Sequence, residues 1–100
     1  MSKINFEEIS FQIIAYAGEA KGKAIQAAKQ KDFNKAASLI AEAEKSYAIA
    51  AHSHMDVVSA EANGEKLCLT ALFVHAEDQM LNVETIILLA KEFIEVYQKI

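Results

Sequence analysis

Apolar residues recur at three- and four-residue steps along most of this 100-residue chain, which is the spacing of one face of an α-helix. The sequence contains no proline and is rich in residues that favour helices. Breaks in the pattern occur near Asp32 and at 63–66. The chain is therefore expected to be a single all-α domain over 1–100, an antiparallel three-helix bundle with helices at about 5–31, 33–62 and 70–100.

The predicted helices have recognisable end signals. Asn5 can cap the first helix, and Glu8, three residues on, completes the pattern of a capping box. Asp32 and Thr70 are the corresponding caps for the second and third helices. Gly64 is suited to the left-handed conformation that closes a helix, so we expect the second helix to end just before it.

Two further features concern the first helix. Ile4 and Ile9 are spaced as a hydrophobic staple around the Asn5 cap. Gly18 and Gly22 lie within the apolar repeat, and because they lack a side chain we expect them to let another helix approach closely.

The third helix carries more apolar surface than a three-helix bundle needs. One seam consists of Phe73, Ala76, Met80, Val83, Ile87, Ala90, Ile94 and Tyr97. Outside it run a second apolar seam and a mixed strip, made of Ile86, Leu89, Phe93, Val96 and Ile100, and of Val74, Asp78, Leu81, Thr85 and Leu88. Since nearly the whole circumference is apolar, we expect this helix to pack on the other two and also on copies of itself.

Composition narrows the possible functions. The net charge is −4 and there is no basic stripe, which argues against nucleic acid as the main partner. The single cysteine, Cys68, excludes an internal disulfide framework, fits a reducing compartment and is interpreted as a small apolar filler. Residues 1–5 lack the pattern of a signal peptide, and no apolar run reaches about 20 residues. We expect a cytoplasmic protein without direct membrane insertion.

The candidate chemistry lies at the start of the third helix. His75 and Asp78 are three residues apart, so both project from nearly the same side of an otherwise apolar helix. An unpaired buried charge is costly, so the pair needs an explanation. The simplest is a core histidine tied to a carboxylate. Alternatively, His75 is a phosphoryl carrier, because a neutral imidazole is a good nucleophile; another protein must then supply the phosphate, since no phosphate-binding loop is present.

Metal binding is a third interpretation. One chain offers too few ligands for a structural zinc site, but Asp78 from three copies around a threefold axis would suit a hard divalent cation such as magnesium. Without a metal, Asp78 would accept hydrogen bonds from polar neighbours. Of the other histidines, His54 falls on the apolar seam of the second helix and is expected to be packed and hydrogen-bonded, whereas His52 is expected to be exposed or near a subunit boundary.

Several segments together resemble the enzyme IIA components of the lactose/cellobiose class of the bacterial phosphoenolpyruvate-dependent sugar phosphotransferase system. They are 14–20, the Asp32-Phe33 turn, Ala51-His52, the glycine loop at 61–65 and the block at 74–79. The last reads Val-His-Ala-Glu-Asp-Gln and is similar to the family's Val-His-Ala-Gln-Asp-His at the same distance after the glycine loop.

The resemblance implies a phosphotransferase component in which His75 takes a phosphoryl group from the phosphocarrier protein HPr. His75 then passes the group to a cysteine of a IIB component, and the membrane IIC component moves and phosphorylates the sugar. It also implies a homotrimer in which Asp78 of each subunit meets a divalent metal, magnesium, on the axis. Glu77 replaces the family's glutamine, and a carboxylate beside a phosphohistidine is expected to repel it modestly.

Two other classes stay open. The chain could be a non-catalytic helical trimerisation or adaptor protein that has lost phosphoryl transfer. A small metal-storage or metal-sensing bundle would need more carboxylate and histidine pairs than this sequence offers.

Overall fold

A computed structural model describes residues 5–100 and shows three α-helices: α1 (Phe6–Ala28), α2 (Phe33–Ala62) and α3 (Ala71–Lys99). The described residues contain no strand, so the predicted all-α class is confirmed. The chain runs up, down and up through an elongated bundle of 54 × 21 × 19 Å. Since α1 and α3 begin at the same end, the start of α3 lies beside the start of α1 and the end of α2.

Side-chain caps define the helix starts, as the sequence predicts. The Asn5 carboxamide oxygen accepts a hydrogen bond from the Glu8 N–H at 3.0 Å. The Asp32 carboxylate accepts from two N–H groups in the first turn of α2. The Thr70 hydroxyl accepts from the Phe73 N–H at 3.1 Å and so fixes where α3 begins. Each bond satisfies backbone donors that would otherwise have no partner inside the helix.

The end of α1 differs from the prediction. The helix stops at Ala28, earlier than the expected end at about 31. The N–H groups of Lys29 and Gln30 bond to carbonyls three residues back, which tightens the last turn and leaves room for the turn into α2. Ile4, one half of the predicted hydrophobic staple with Ile9, lies outside the described residues.

The expectation that glycines in α1 admit a close helix is wrong within the chain. A side-chain carbon added at Gly18 or Gly22 would meet nothing within 4 Å, and both residues are exposed. The reason is that alanines occupy the face that packs against the other helices. The buried alanines of α1 are Ala17, Ala20, Ala24 and Ala27.

The buried core forms two clusters. The one towards the end of α1 and of α3 is rich in alanine, with larger side chains from Leu39, Ile40, Val83 and Ile87. The other lies at the start of α3 and consists of Ile13, Ala50, Val57, Phe73, Ala76 and Met80. The predicted first seam of α3 is buried from Phe73 to Ala90, whereas Tyr97 is half exposed. Burying such side chains is the main source of stability in a domain of this size.

The outer face of α3 is apolar and exposed. Its large exposed side chains are Val74, Leu81, Leu88, Leu89, Phe93, Val96, Tyr97 and Ile100. The surplus apolar surface that the sequence predicts is therefore present, and contiguous patches of this kind commonly mark interaction sites.

The α2–α3 connection contains one well-formed helix end. Gly64 has φ +93°, as predicted, and the N–H groups of Gly64 and Glu65 bond to the carbonyls of Glu61 and Ala60. This pattern is a Schellman motif, which satisfies the last carbonyls of α2. Cys68 is exposed and not a packed filler, because Leu67 is the residue of this segment that turns towards the core.

Three polar contacts join α2 to α3. They are His54 with Glu77, Tyr47 with Glu84, and Glu44 with Lys91. The three α3 residues are spaced by seven, so they fall on one side of the helix.

None of the three helices within residues 5–100 has the length and apolar content that crossing a bilayer requires.

The contact between Tyr47 of α2 and Glu84 of α3 makes a pH-dependent contribution to the stability of the fold. Burial, together with a 2.9 Å hydrogen bond donated to the Glu84 carboxylate and the charge of that carboxylate, raises the pKa of Tyr47 to about 12. Because the folded chain holds the phenol proton more tightly than the unfolded chain, the stabilisation is complete below pH about 10 and is lost as the pH rises towards 12.

We therefore expect an alkaline absorbance titration of the folded protein to contain a late step near pH 12 from Tyr47. Tyr47→Phe should remove that step, and Glu84→Gln should move it to lower pH. A late step that survives in Tyr47→Phe would contradict the assignment.

Candidate functional site

His75 lies in the second turn of α3 and is exposed. The flanking positions Phe73 and Ala76 are buried in the core, at 2% and 0% exposure, so the backbone of this turn is anchored while the imidazole faces outward. Exposure rules out the interpretation of His75 as a packed core histidine. An accessible ring on a fixed turn can be reached by another protein, which is the first requirement of a group that carries phosphate between proteins.

Asp78 lies one turn further along α3 and is also exposed. It sits on the apolar outer face, on the strip that contains Val74 and Leu81. None of the side-chain hydrogen bonds and ion pairs formed within residues 5–100 involves Asp78. Nor do three metal-binding side chains come together in that part of the chain. A metal held by Asp78 would need ligands from other copies.

Glu77 occupies a different side of α3 from His75. Residues two positions apart in an α-helix are separated by about 200° around its axis, so the side chains of His75 and Glu77 point in nearly opposite directions. The Glu77 carboxylate is half buried and faces α2, where it lies 2.7 Å from Nε2 of His54. The expectation that Glu77 stands beside a phosphorylated His75 is therefore wrong, since the carboxylate already has a partner on the far side of the helix.

The two histidines of α2 behave as predicted. His54 is packed: its ring stacks on the Phe73 ring with centroids 6.0 Å apart and an interplanar angle of 3°. A carboxylate can only accept, so His54 Nε2–H donates to Glu77. His52 is exposed, with 84% of its side chain accessible, and its ring nitrogen is 4.0 Å from Asp56.

Three surface depressions formed by the described residues do not include His75 in their walls. One of about 440 Å³ is formed between α2 and α3, where Tyr47, Glu84 and Leu88 contribute to its walls. Another of about 370 Å³ lies between α1 and α3 near Ile25 and Phe93. His75 itself is exposed on the surface of α3. This arrangement suits a protein partner that brings its own reactive group better than a small substrate, which usually needs a cleft.

Sequence reasoning missed the pairing of His54 with Glu77. A signal for it was present, because Glu77, Glu84 and Lys91 recur every seven residues on α3 and define a polar stripe facing α2. Aligning that stripe with the seam of α2 that contains His54 predicts the contact between His54 and Glu77.

Comparisons with known proteins agree with one another. The family model for "PTS system, Lactose/Cellobiose specific IIA subunit" matches residues 8–98. The chain is 38% identical over 97 residues to the lichenan-specific phosphotransferase enzyme IIA component of Bacillus subtilis, covering 94% of this chain and 88% of that protein. It is 32% identical over 102 residues to the lactose-specific EIIA component of Staphylococcus epidermidis, covering 99% and 98% of the two chains.

A solved structure shows the same fold. The crystal structure of the PTS cellobiose-specific enzyme IIA from Bacillus anthracis superposes with a TM-score of 0.90 at 34% identity. The match covers 98% of this chain and 93% of that chain.

Proposed function

Because the chain belongs to the family of lactose/cellobiose-specific IIA subunits of the sugar phosphotransferase system, we propose that it carries a phosphoryl group on His75. The group comes from phospho-HPr and goes to the cysteine of a lactose/cellobiose-type IIB component, which serves a membrane IIC permease. The observation that supports this most directly is the exposed imidazole of His75 on a turn anchored by the buried Phe73.

The chemistry requires little from the chain beyond position. An unprotonated ring nitrogen of His75 attacks the phosphorus atom, and the nitrogen–phosphorus bond forms as the bond to the donor breaks. In the second step the IIB cysteine thiolate attacks phosphorus and the imidazole leaves with its electron pair. Catalysis of such transfers rests on alignment and charge stabilisation. Since His75 is open to solvent, part of the surrounding site is supplied by whichever partner is docked.

The direct test is incubation of the purified protein with phosphoenolpyruvate, enzyme I and HPr. We expect the intact mass to rise by one phosphoryl group, with the label mapped to His75, and no change when HPr is omitted. An unchanged mass for correctly assembled protein would defeat the proposal and favour the non-catalytic adaptor, for which the exposed apolar face of α3 is the supporting observation. A metal-storage role gains no support from residues 5–100.

We further propose that the active form is a homotrimer joined through the outer face of α3. The large apolar side chains exposed there would be covered in such an assembly. Asp78 lies within this face, so three copies of its carboxylate would meet near the axis. The donor set fits a hard divalent cation such as magnesium, which prefers carboxylate and water oxygens. When bound, the metal would offset most of the negative charge of the three carboxylates, and Asp78 of each subunit would hold it.

Asp78→Leu is expected to preserve or strengthen assembly in the absence of metal. Two carboxylates about 4 Å apart repel by about 1 kcal/mol in water, so the three pairs of a trimer repel by about 3 kcal/mol in total. Because formation of a trimer from monomers depends on the square of the free monomer concentration, relieving this repulsion should let the trimer persist at roughly tenfold lower concentration. Sedimentation of both proteins with EDTA and with magnesium measures the effect. Asp56→Leu, at an exposed carboxylate on α2, is the control. Wild-type protein that sediments as a monomer with and without magnesium would refute both the trimer and the metal site.

A further inference from the structure

Four side chains form a continuous stack at the end of the bundle that carries His75. Phe6 of α1 meets Phe73 of α3 edge to face, with ring centroids 5.2 Å apart. The His54 ring of α2 lies parallel to the Phe73 ring, with centroids 6.0 Å apart, and its Nε2 lies 2.7 Å from the Glu77 carboxylate of α3. The stack therefore links all three helices within the first two turns of α3, on both sides of His75 in the sequence.

This part of α3 meets α2 through the core packing around Ala50 and Val57 and through one polar contact. α1 packs extensively against both other helices, whereas α2 and α3 contact each other less. The segment 63–70 that joins α2 to α3 is exposed apart from Leu67. The other polar contacts across the seam, at Glu84 and Lys91, lie two and four turns further along and are exposed. The contact of His54 with Glu77 is part-buried and is the one nearest His75.

We infer that His54 and Glu77 form a clamp that sets the orientation of the turn bearing His75, and that both are positioning residues for phosphoryl transfer. The inference rests on the proposed function and concerns residues that do not touch the phosphoryl group. The hydrogen bond adds to the burial of Phe73 and Ala76 in fixing the rotation of α3 about its own axis. Glu77 and His75 project from nearly opposite sides of the same turn, so the two side chains move together when the helix rolls. Any roll of the helix that stretches the bond swings the His75 ring sideways.

Such a displacement matters because the donor and the attacking nitrogen must line up through phosphorus, and a shift of about 1 Å can slow a reaction by as much as ~100-fold.

The clamp also determines where the negative charge of Glu77 lies. It holds the Glu77 carboxylate against the His54 imidazole, on the side of α3 away from the phosphoryl group, so that this negative charge does not oppose the incoming phosphate.

Three variants separate positioning from general stability. Glu77→Ala removes the acceptor, Glu77→Gln keeps an oxygen that can accept from His54, and Glu84→Ala removes a comparable α2–α3 contact seven residues along the same side of α3. Each is studied in full-length protein for single-turnover transfer from phospho-HPr over a range of HPr concentrations. The His75 ring resonances are recorded by ¹⁵N NMR in the unphosphorylated state.

Glu77→Ala is expected to lower the limiting transfer rate about tenfold without changing the half-saturating HPr concentration, and to shift the His75 ring resonances. Glu77→Gln and Glu84→Ala should stay within about twofold of wild type, because the first retains the hydrogen bond and the second lies away from the site. If wild-type protein is labelled and Glu77→Ala transfers equally fast, the clamp alone is overturned. The same holds if the His75 resonances of Glu77→Ala are those of wild type. Wild-type protein that takes no label would instead overturn the proposed function.

Discussion

Replacing His75 by glutamine is expected to reduce phosphoryl transfer from HPr to background. A carboxamide has similar size and polarity, but its nitrogen lone pair is delocalised into the carbonyl and does not attack phosphorus. Because His75 is exposed, the substitution should leave the helix and the core unchanged. The measurement is intact mass after incubation with phosphoenolpyruvate, enzyme I and HPr, alongside thermal unfolding to verify the fold.

His52→Gln is the matched control for this experiment. It changes another exposed histidine, on α2, and should be labelled as fast as wild type. Undiminished labelling of His75→Gln would place the acceptor elsewhere on the chain and remove the basis of the proposed relay. Loss of labelling in both variants would show that His52 also takes part, which the structure gives no reason to expect.

Phe73→Ala is expected to lower the free energy of unfolding by about 3–5 kcal/mol. Phe73 is 2% exposed, packs edge to face against Phe6 and stacks on His54, so truncation would leave a cavity where all three helices meet. For a chain of 100 residues such a loss is a large share of the total stability. Urea denaturation followed by circular dichroism measures it, at equal protein concentrations so that any assembly contributes equally.

The control is Phe11→Ala, which truncates the same residue type on α1 where it is 56% exposed, and which should change stability by no more than about 0.5 kcal/mol. Equal losses in the two variants would mean that Phe73 is not the centre of this core cluster. A selective loss at Phe73 should also slow phosphoryl transfer, because the same ring supports the turn that carries His75.

Local signals in the sequence were sufficient to predict most of the fold. The bounds of α2 follow from Asp32, whose carboxylate caps its start, and from Gly64, whose positive φ closes its end. The end of α1 was predicted too late, because a tightened last turn depends on a few backbone hydrogen bonds that leave no mark on the apolar repeat. Gly18 and Gly22 were misjudged for a related reason: the repeat identifies a helix but not which of its faces meets a neighbour.

The candidate site was predictable in its residues but not in its surroundings. The motif around His75 and its place on α3 could be read from the sequence, whereas its exposure depended on how the whole bundle packs. Glu77 shows the limit most clearly. Glu77 is two residues from His75 in the sequence, yet the side chain that it contacts is His54 on another helix. Only the rotation of α3 within the bundle decides which of the two histidines the carboxylate faces.

The position of Cys68 has a practical consequence. It is the chain's single cysteine, it is exposed, and it lies seven residues before His75 in the segment that leads into α3. Maleimide chemistry would therefore attach one fluorophore or spin label at a known place near the transfer site, with no cysteine to remove first. The unmodified sequence thus carries a built-in reporter position for watching partner proteins arrive and leave.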